Sequence, residues 1–234
     1  MFDAIFFDLD GTLLPMDYAS FTKGYLSLLA KAVSPLGYRP DTMIPAMWKG
    51  VEAMMKNDGS ETNYRRFWES FFAILGEEHY EHVASFDAFY EKDFHQAAAF
   101  TTPAPDYAKQ AIALARQKAG QVVLATNPLF PRVAVRSRLA WAGLAETDFD
   151  HITDYENSSF CKPNPAYFTQ IASTLGVDPK RCLMIGNHTE EDIHAAQAAG
   201  LSTFLLTDCL IAEGEMPETP KGSFEDLFRY LQEN

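Results

Sequence analysis

Two aspartates, Asp8 and Asp10, directly follow the apolar run AIFF (4–7) near the start of the chain. On an extended segment, residues two apart project to the same side. The two carboxylates therefore share one face at the end of a buried run. Adjacent carboxylates repel, which raises one pKa unless a cation intervenes. Mg²⁺ resolves the repulsion, because hard cations prefer oxygen ligands. Three more loops place polar groups after an apolar run: Thr126-Asn127 after VVLA (122–125), Cys161-Lys162-Pro163 beyond HIT (151–153), and Gly186-Asn187 to Asp192 after CLMI (182–185). Lys162 and the Thr126 hydroxyl could hold an anion against the metal. Phosphate is the natural candidate, since phosphoryl transfer needs positioning and charge neutralisation.

Each of these residues also has a plainer reading. Asp8 and Asp10 could shape a strand-end turn with Gly11, but two aspartates beside a buried run are costly without a partner. Thr126 could cap a helix after Pro128, a role compatible with phosphate binding. Lys162 alone reads as a surface lysine; as one of four loops it reads as part of a site. Thr189-Glu190-Glu191-Asp192 fits the capping box [ST]-x-x-[DE]. Glu190 and Glu191 are then first-turn acids that complement the helix dipole. Asp192 fits the cap and the site equally. His188 reads as a loop residue, and His79 with His82 lacks a third ligand for zinc.

The elements that must position these loops are legible in outline. Four of the apolar runs already named, with TFLL (203–206), are short, continuous and polar-flanked, as strands covered on both faces are. Helical patterns over Pro131–Trp141, Ala166–Leu175 and Glu190–Ala199 separate the last four, each followed by a glycine stop at Gly143, Gly176 or Gly200. The alternation predicts an α/β fold, a doubly wound, Rossmann-like parallel sheet. Ligands of such sheets bind beyond the carboxyl ends of the strands, where all four loops fall.

About 115 residues separate the first two strands, too many for one crossover helix. Within them Tyr18–Ala32, Thr62–Leu75 and His79–Ala99 read as helices, with YRPDT, NDGS and LGEE as breaks. Residues 16–100 hold just over half of the Phe, Trp and Tyr of the chain, enough for a small core of their own. Phe67, Trp68, Phe71 and Phe72 read as part of that core. The expectation is a core domain of 1–15 and 101–234 and an inserted all-helical cap of 16–100, with hinges near Leu14–Pro15 and Thr102–Pro105. The stretch 212–222 reads as a surface loop before a last helix, Phe224–Leu231.

The chain has 234 residues, 47% of them hydrophobic, and a net charge of −13. Such acidity argues against nucleic acid or an anionic membrane as partner. Three scattered cysteines, Cys161, Cys182 and Cys209, support neither a disulfide framework nor a cysteine zinc site. No run approaches a membrane span, and the first residues lack a secretory signal. A soluble cytoplasmic protein is expected.

Taken in order, Asp8-Leu-Asp10-Gly11-Thr12-Leu13, Thr126-Asn127, Lys162-Pro163 and Gly186-Asn187 to Asp192 resemble the four-motif signature of the haloacid dehalogenase (HAD) superfamily. The insertion point is similar to that of the helical C1-type cap of its phosphoglycolate-phosphatase-like members. The resemblance implies a Mg²⁺-dependent phosphatase acting on a small phosphorylated metabolite. Asp8 would be the nucleophile that forms an aspartyl-phosphate. Asp10 would protonate the leaving alcohol and then activate water, with its backbone carbonyl on the metal. Thr126 and Lys162 would bind the phosphoryl group, and Asn127 would contribute backbone. The metal set would be Asp8, Asp10, position 187 and Asp192. The family pattern has aspartate after Gly186; this chain has Asn187, so weaker Mg²⁺ binding is expected. Two alternatives fit the same residues: a phosphomutase on the same scaffold, and a catalytically weakened phospho-ligand-binding protein, for which Asn187 is the motive.

Overall fold

All five apolar runs become strands: β1 (Phe2–Phe7), β2 (Ala119–Leu124), β3 (His151–Ile152), β4 (Cys182–Gly186) and β5 (Ser202–Leu206). A sixth, β6 (Lys221–Gly222), arises within the stretch expected to be loop. It is two residues long and pairs with Leu205 and Leu206, a signal too short for periodicity to reveal. The strands form one parallel sheet in the order β3-β2-β1-β4-β5-β6. The structure, a computed structural model, describes residues 1–102 and 106–234. Most of the expected exit hinge, Pro103 to Pro105, lies outside the described residues.

Alternation along the strands sends side chains to both faces of the sheet. Phe6, Val123 and Met184 face a cluster with Tyr167, Phe168 and Ala196, from α7 (Ala166–Leu175) and α8 (Ala195–Ala198). Ile5, Phe7, Leu124 and Ile185 face the other. That face holds α5 (Tyr107–Lys118), which the sequence reading did not identify, with α6 (Arg132–Trp141) and α9 (Phe224–Glu233). All seven strand residues named are buried. Each such large side chain contributes roughly 1.5–3 kcal/mol on leaving water. The glycine stops are real: Gly143, Gly176 and Gly200 all have positive φ.

Between β1 and α5 the chain forms α1 (Tyr18–Val33), α2 (Pro40–Met55), α3 (Asn63–Leu75) and α4 (Val83–Lys92). The break expected at YRPDT is instead the start of α2, with Pro40 in the first turn, where its missing N–H costs nothing. The single helix expected over His79–Ala99 is three pieces: a 3₁₀ segment Glu77–His82, α4, and a second 3₁₀ segment Phe94–Phe100. The three-residue repeat of 3₁₀ geometry keeps Phe94 and Ala97 on the buried side. The expectation of a separate aromatic core is corrected as well. Phe94 meets Phe130 and Trp141, and Phe21 meets both as well. The aromatics of the inserted helices are thereby continuous with one face of the sheet.

The insertion leaves and returns at one place. Met16 bridges Thr101, and Thr102 N donates to Pro15 O at 2.9 Å. A second tie is the start of α3. Buried Asn63 donates from Nδ2 towards Pro128 O (3.4 Å), Phe160 O (3.3 Å) and Cys161 Sγ (3.3 Å). Among the described residues no helix is long and apolar enough to cross a membrane.

Candidate active site

The connections from β1 and β4 leave in opposite directions, so a crevice opens where their carboxyl ends meet. Hydrogen bonds fix the level of that edge: Asp8 N donates to Ile185 O at 3.0 Å, and Ala125 N to Phe7 O at 2.7 Å. Asp8, Thr126 and Asn187 thus leave three neighbouring strands side by side. A tight turn follows Asp8, with Gly11 N donating to Leu14 O and Leu14 N to Leu9 O, both at 2.8 Å. Gly11 has φ +83°, and a Cβ there would overlap Asn187 Nδ2. Glycine is required at this position on both counts. Asp8, Thr126, Lys162, Asn187 and Asp192 are all buried.

Lys162 is the hub. Its Nζ donates to Asp8 Oδ1 at 2.9 Å and to Asp192 Oδ1 at 2.6 Å. Burial works against the ammonium, but Asp192 and Asp8 outweigh it and raise its pKa above the ordinary lysine value. Burial pushes Asp8 up to about 7, aided by Asp192 and Asp10 and opposed by Lys162. The other oxygen of Asp192, Oδ2, accepts from the amides of Asn187 and His188, each at 3.0 Å. Both oxygens of Asp192 are therefore engaged by protein, and the residue holds Lys162 and the fourth loop together.

Asp10 has a partner the sequence reading missed. Arg138 of α6, fully buried, donates from Nη1 to Asp10 Oδ2 and lies over the Phe130 ring, 4.3 Å from its centroid. Burial raises the Asp10 pKa, and Arg138 opposes the rise. Asp10 Oδ1 is buried with no partner among the described residues. The signal was present: Arg138 sits among Ala134, Val135 and Leu139 on the buried stripe of α6, where an arginine is out of place unless paired.

The Asn187 side chain is committed at both ends: Oδ1 accepts from Thr12 Oγ1 at 2.9 Å, and Nδ2 donates to Cys209 O at 2.7 Å. Its oxygen keeps a second lone pair. With Asp8 and the Asp10 carbonyl, it would offer oxygens only, which fits Mg²⁺ in kind, with one carboxylate fewer than the family pattern. Among the described residues, no three His, Cys, Asp or Glu side chains are grouped to hold a metal, so an amide and backbone oxygen must complete any such site. Thr126 turns its carbonyl to Thr153 Oγ1 and Tyr167 OH, both at 2.8 Å. It does not cap α6, whose N-cap is Pro131. Asn127 joins loops through its side chain: Oδ1 accepts from Lys162 N at 3.2 Å, and Nδ2 donates to Glu191 Oε2 at 3.0 Å.

The helix start after β4 differs from the expected capping box. His188, not Thr189, is the cap: its Nδ1 accepts from Glu190 N and Glu191 N. Thr189 Oγ1 instead exchanges hydrogen bonds with Glu213. The first turn, Thr189–His194, is a π-helix. This wider turn brings Glu191 into the site, where burial raises its pKa. The assignment of Glu191 to the helix dipole alone is thereby corrected. The resulting pocket is about 290 Å³, measured to the centres of water-sized spheres. Asp8, Asp10, Thr126, Asn127, Asn187 and Asp192 line it, and Tyr18, His188, Glu191 and Glu213 join them; Lys162 lies beneath.

Residues 2–200 match the model of the haloacid dehalogenase-like hydrolases. The chain is 27% identical to the phosphoglycolate phosphatase of Neisseria gonorrhoeae, over 98% of this chain and 93% of the relative. It is 26% identical to the glyceraldehyde 3-phosphate phosphatase of Methanothermobacter thermautotrophicus, over 96% of this chain and 94% of the relative. A magnesium-bound HAD-hydrolase of Bacillus subtilis shares the fold, with a TM-score of 0.57 at 21% identity and 98% coverage of both chains. The strand order, the four loops gathered at one sheet edge and the match over most of its length place this chain in the haloacid dehalogenase-like hydrolase family.

Proposed function

We propose that the chain is a Mg²⁺-dependent phosphatase that hydrolyses a small phosphorylated metabolite through an aspartyl-phosphate. The observation that carries the reading is Asp8 held by Lys162 on Oδ1, while Oδ2 takes no protein hydrogen bond among the described residues. An oriented carboxylate with one free oxygen suits in-line attack on phosphorus. Asp10 offers a matching division: Oδ2 is fixed by Arg138, and the unpartnered Oδ1 is left to carry a proton. In the first step Asp8 bonds to phosphorus, and Asp10 gives its proton to the departing alcohol oxygen. In the second, Asp10 takes a proton from the attacking water, and the Asp8–phosphorus bond breaks to release phosphate. Thr126 and Lys162 steady the phosphoryl oxygens, and Asn127 ties the two loops that bear them.

Mg²⁺, when bound, supplies neutralising charge for the phosphoryl group beside Asp8. Asp8, the Asp10 carbonyl and Asn187 would hold it, with Asp192 orienting Lys162 and the Asn187 amide behind them. Two relatives bear the names of phosphatases and one neighbour carries magnesium, which supports this reading. We read residues 16–100 as the cap and 1–15 with 101–234 as the core domain, because Tyr18 from the insertion lines the same pocket as the catalytic loops.

The test is phosphate release from an aryl phosphate. Asp8→Asn should abolish it, and so should EDTA. Activity that survives both changes overturns the mechanism. The commitment of both Asn187 polar atoms to protein favours one second reading, a phospho-ligand-binding protein with a weak metal site. A Mg²⁺ titration separates the two: a catalyst gains activity at high metal, and a binding protein shows none.

A further inference from the structure

The pocket at the strand ends adjoins a second space among the inserted helices. Tyr18, Leu129 and Phe130 line both. The second space is a narrow slot of about 60 Å³, measured to the centres of water-sized spheres. That is room for more than one water and for a small side group. Its walls include Tyr25, Leu29, Met47, Phe67, Trp68 and Tyr90. The Tyr25 and Tyr90 hydroxyls are bonded to each other at 2.6 Å. No charged side chain of the described residues lines it, and neither space is lined by lysine or arginine. Of the buried cations near these spaces, Lys162 is paired with Asp8 and Asp192, and Arg138 is paired through Nη1 with Asp10, while its Nη2 has no partner among the described residues.

We propose that the slot receives the alcohol half of the substrate, and that this half is uncharged and apolar: a single aromatic ring or a short branched alkyl group. The proposal rests on the phosphatase reading of the adjoining pocket. A carboxylate in the slot would be stripped of water with no cation among the described residues lining the slot to meet it. At the mouth it would also face the acidic set of Asp8, Asp10, Glu191, Asp192 and Glu213. A ring, by contrast, meets the faces and edges of Tyr25, Phe67, Trp68 and Tyr90, the geometry aromatic groups prefer. The substrate class therefore differs from phosphoglycolate, the phosphorylated hydroxy acid in the name of one relative.

The test is calorimetric titration of the full chain, with Mg²⁺ present, with three non-hydrolysable phosphonates. Benzylphosphonate should bind at least tenfold more tightly than methylphosphonate and than phosphonoacetate. Val51 lines the slot and is half-buried, so Val51→Phe should fill it and shrink the benzyl advantage to threefold or less. Leu26→Phe does the same from α1 should the first variant not fold. Phosphonoacetate binding as tightly as benzylphosphonate overturns the proposal, as does a folded filled variant that keeps the full benzyl advantage. Phosphate release from benzyl phosphate and 2-phosphoglycolate separates the two readings. A benzyl preference in binding with no ester hydrolysed supports the slot and sinks the phosphatase reading alone. Faster turnover of 2-phosphoglycolate sinks the slot alone.

Discussion

Arg138 Nη1 donates to Asp10 Oδ2 inside the protein, joining α6 to the loop after β1 across 128 positions of sequence. The arginine is fully buried, and its Nη2 has no partner among the described residues. A pair of this kind is costly to break from one side, because the remaining charge is left buried and alone. Arg138→Met should destabilise the protein by about 3–5 kcal/mol, read by urea unfolding. Adding Asp10→Asn should recover part of that loss, since it removes the stranded charge. Arg138→Met with unchanged stability would show that the pair contributes nothing.

Asn187→Asp tests the departure in the fourth loop. The new carboxylate should lower the Mg²⁺ concentration for half-maximal activity by about tenfold, because ligand charge sets affinity. Without metal it should cost roughly 1–3 kcal/mol, since a carboxylate oxygen replaces the Nδ2 donor that meets Cys209 O. Melting curves with and without Mg²⁺ measure both effects. An unchanged metal requirement removes position 187 from the ligand set.

Lys162→Met removes the ammonium that lies between Asp8 and Asp192. Loss of about 3–5 kcal/mol of stability is expected from two stranded carboxylates, together with loss of inhibition by inorganic phosphate. Lys162→Met/Asp192→Asn should be more stable than the single variant. Inhibition that persists in a folded variant rules out Lys162 as a phosphate ligand.

Asn63 fastens the start of α3 to the loops at Pro128 and Phe160–Cys161. Asn63→Ala should cost roughly 1–3 kcal/mol, because its partners at Pro128 and Phe160 lose a donor. Asn63→Asp should be worse, because it sets carboxylate oxygens against those two carbonyls. Thermal melts of the three proteins decide the order; alanine worse than aspartate contradicts this role.

Five of the six strands were legible because each is a continuous apolar run closed by a polar loop, a local signal that needs no neighbour. The loops that bear Asp8, Thr126, Lys162 and Asn187 were legible for the same reason, since a parallel sheet sends every strand end to one edge. The helices were less so. α2 begins on the Pro40 that looked like a break, and the 3₁₀ segments around α4 follow packing more than propensity.

The parallel sheet, and which residue types meet at its strand ends, could be read without the structure. Only the tertiary structure decided how they are partnered. Lys162 is shared by Asp8 and Asp192, Arg138 is given to Asp10, Glu191 is turned inward by a π-turn, and Asn187 is spent between Thr12 and Cys209. The slot beside them is decided in the same way, by which faces of α1, α2, α3 and α4 are left facing one another. The reason is physical: periodicity says that a side chain is buried, but its partner is set by contacts between segments far apart in the chain.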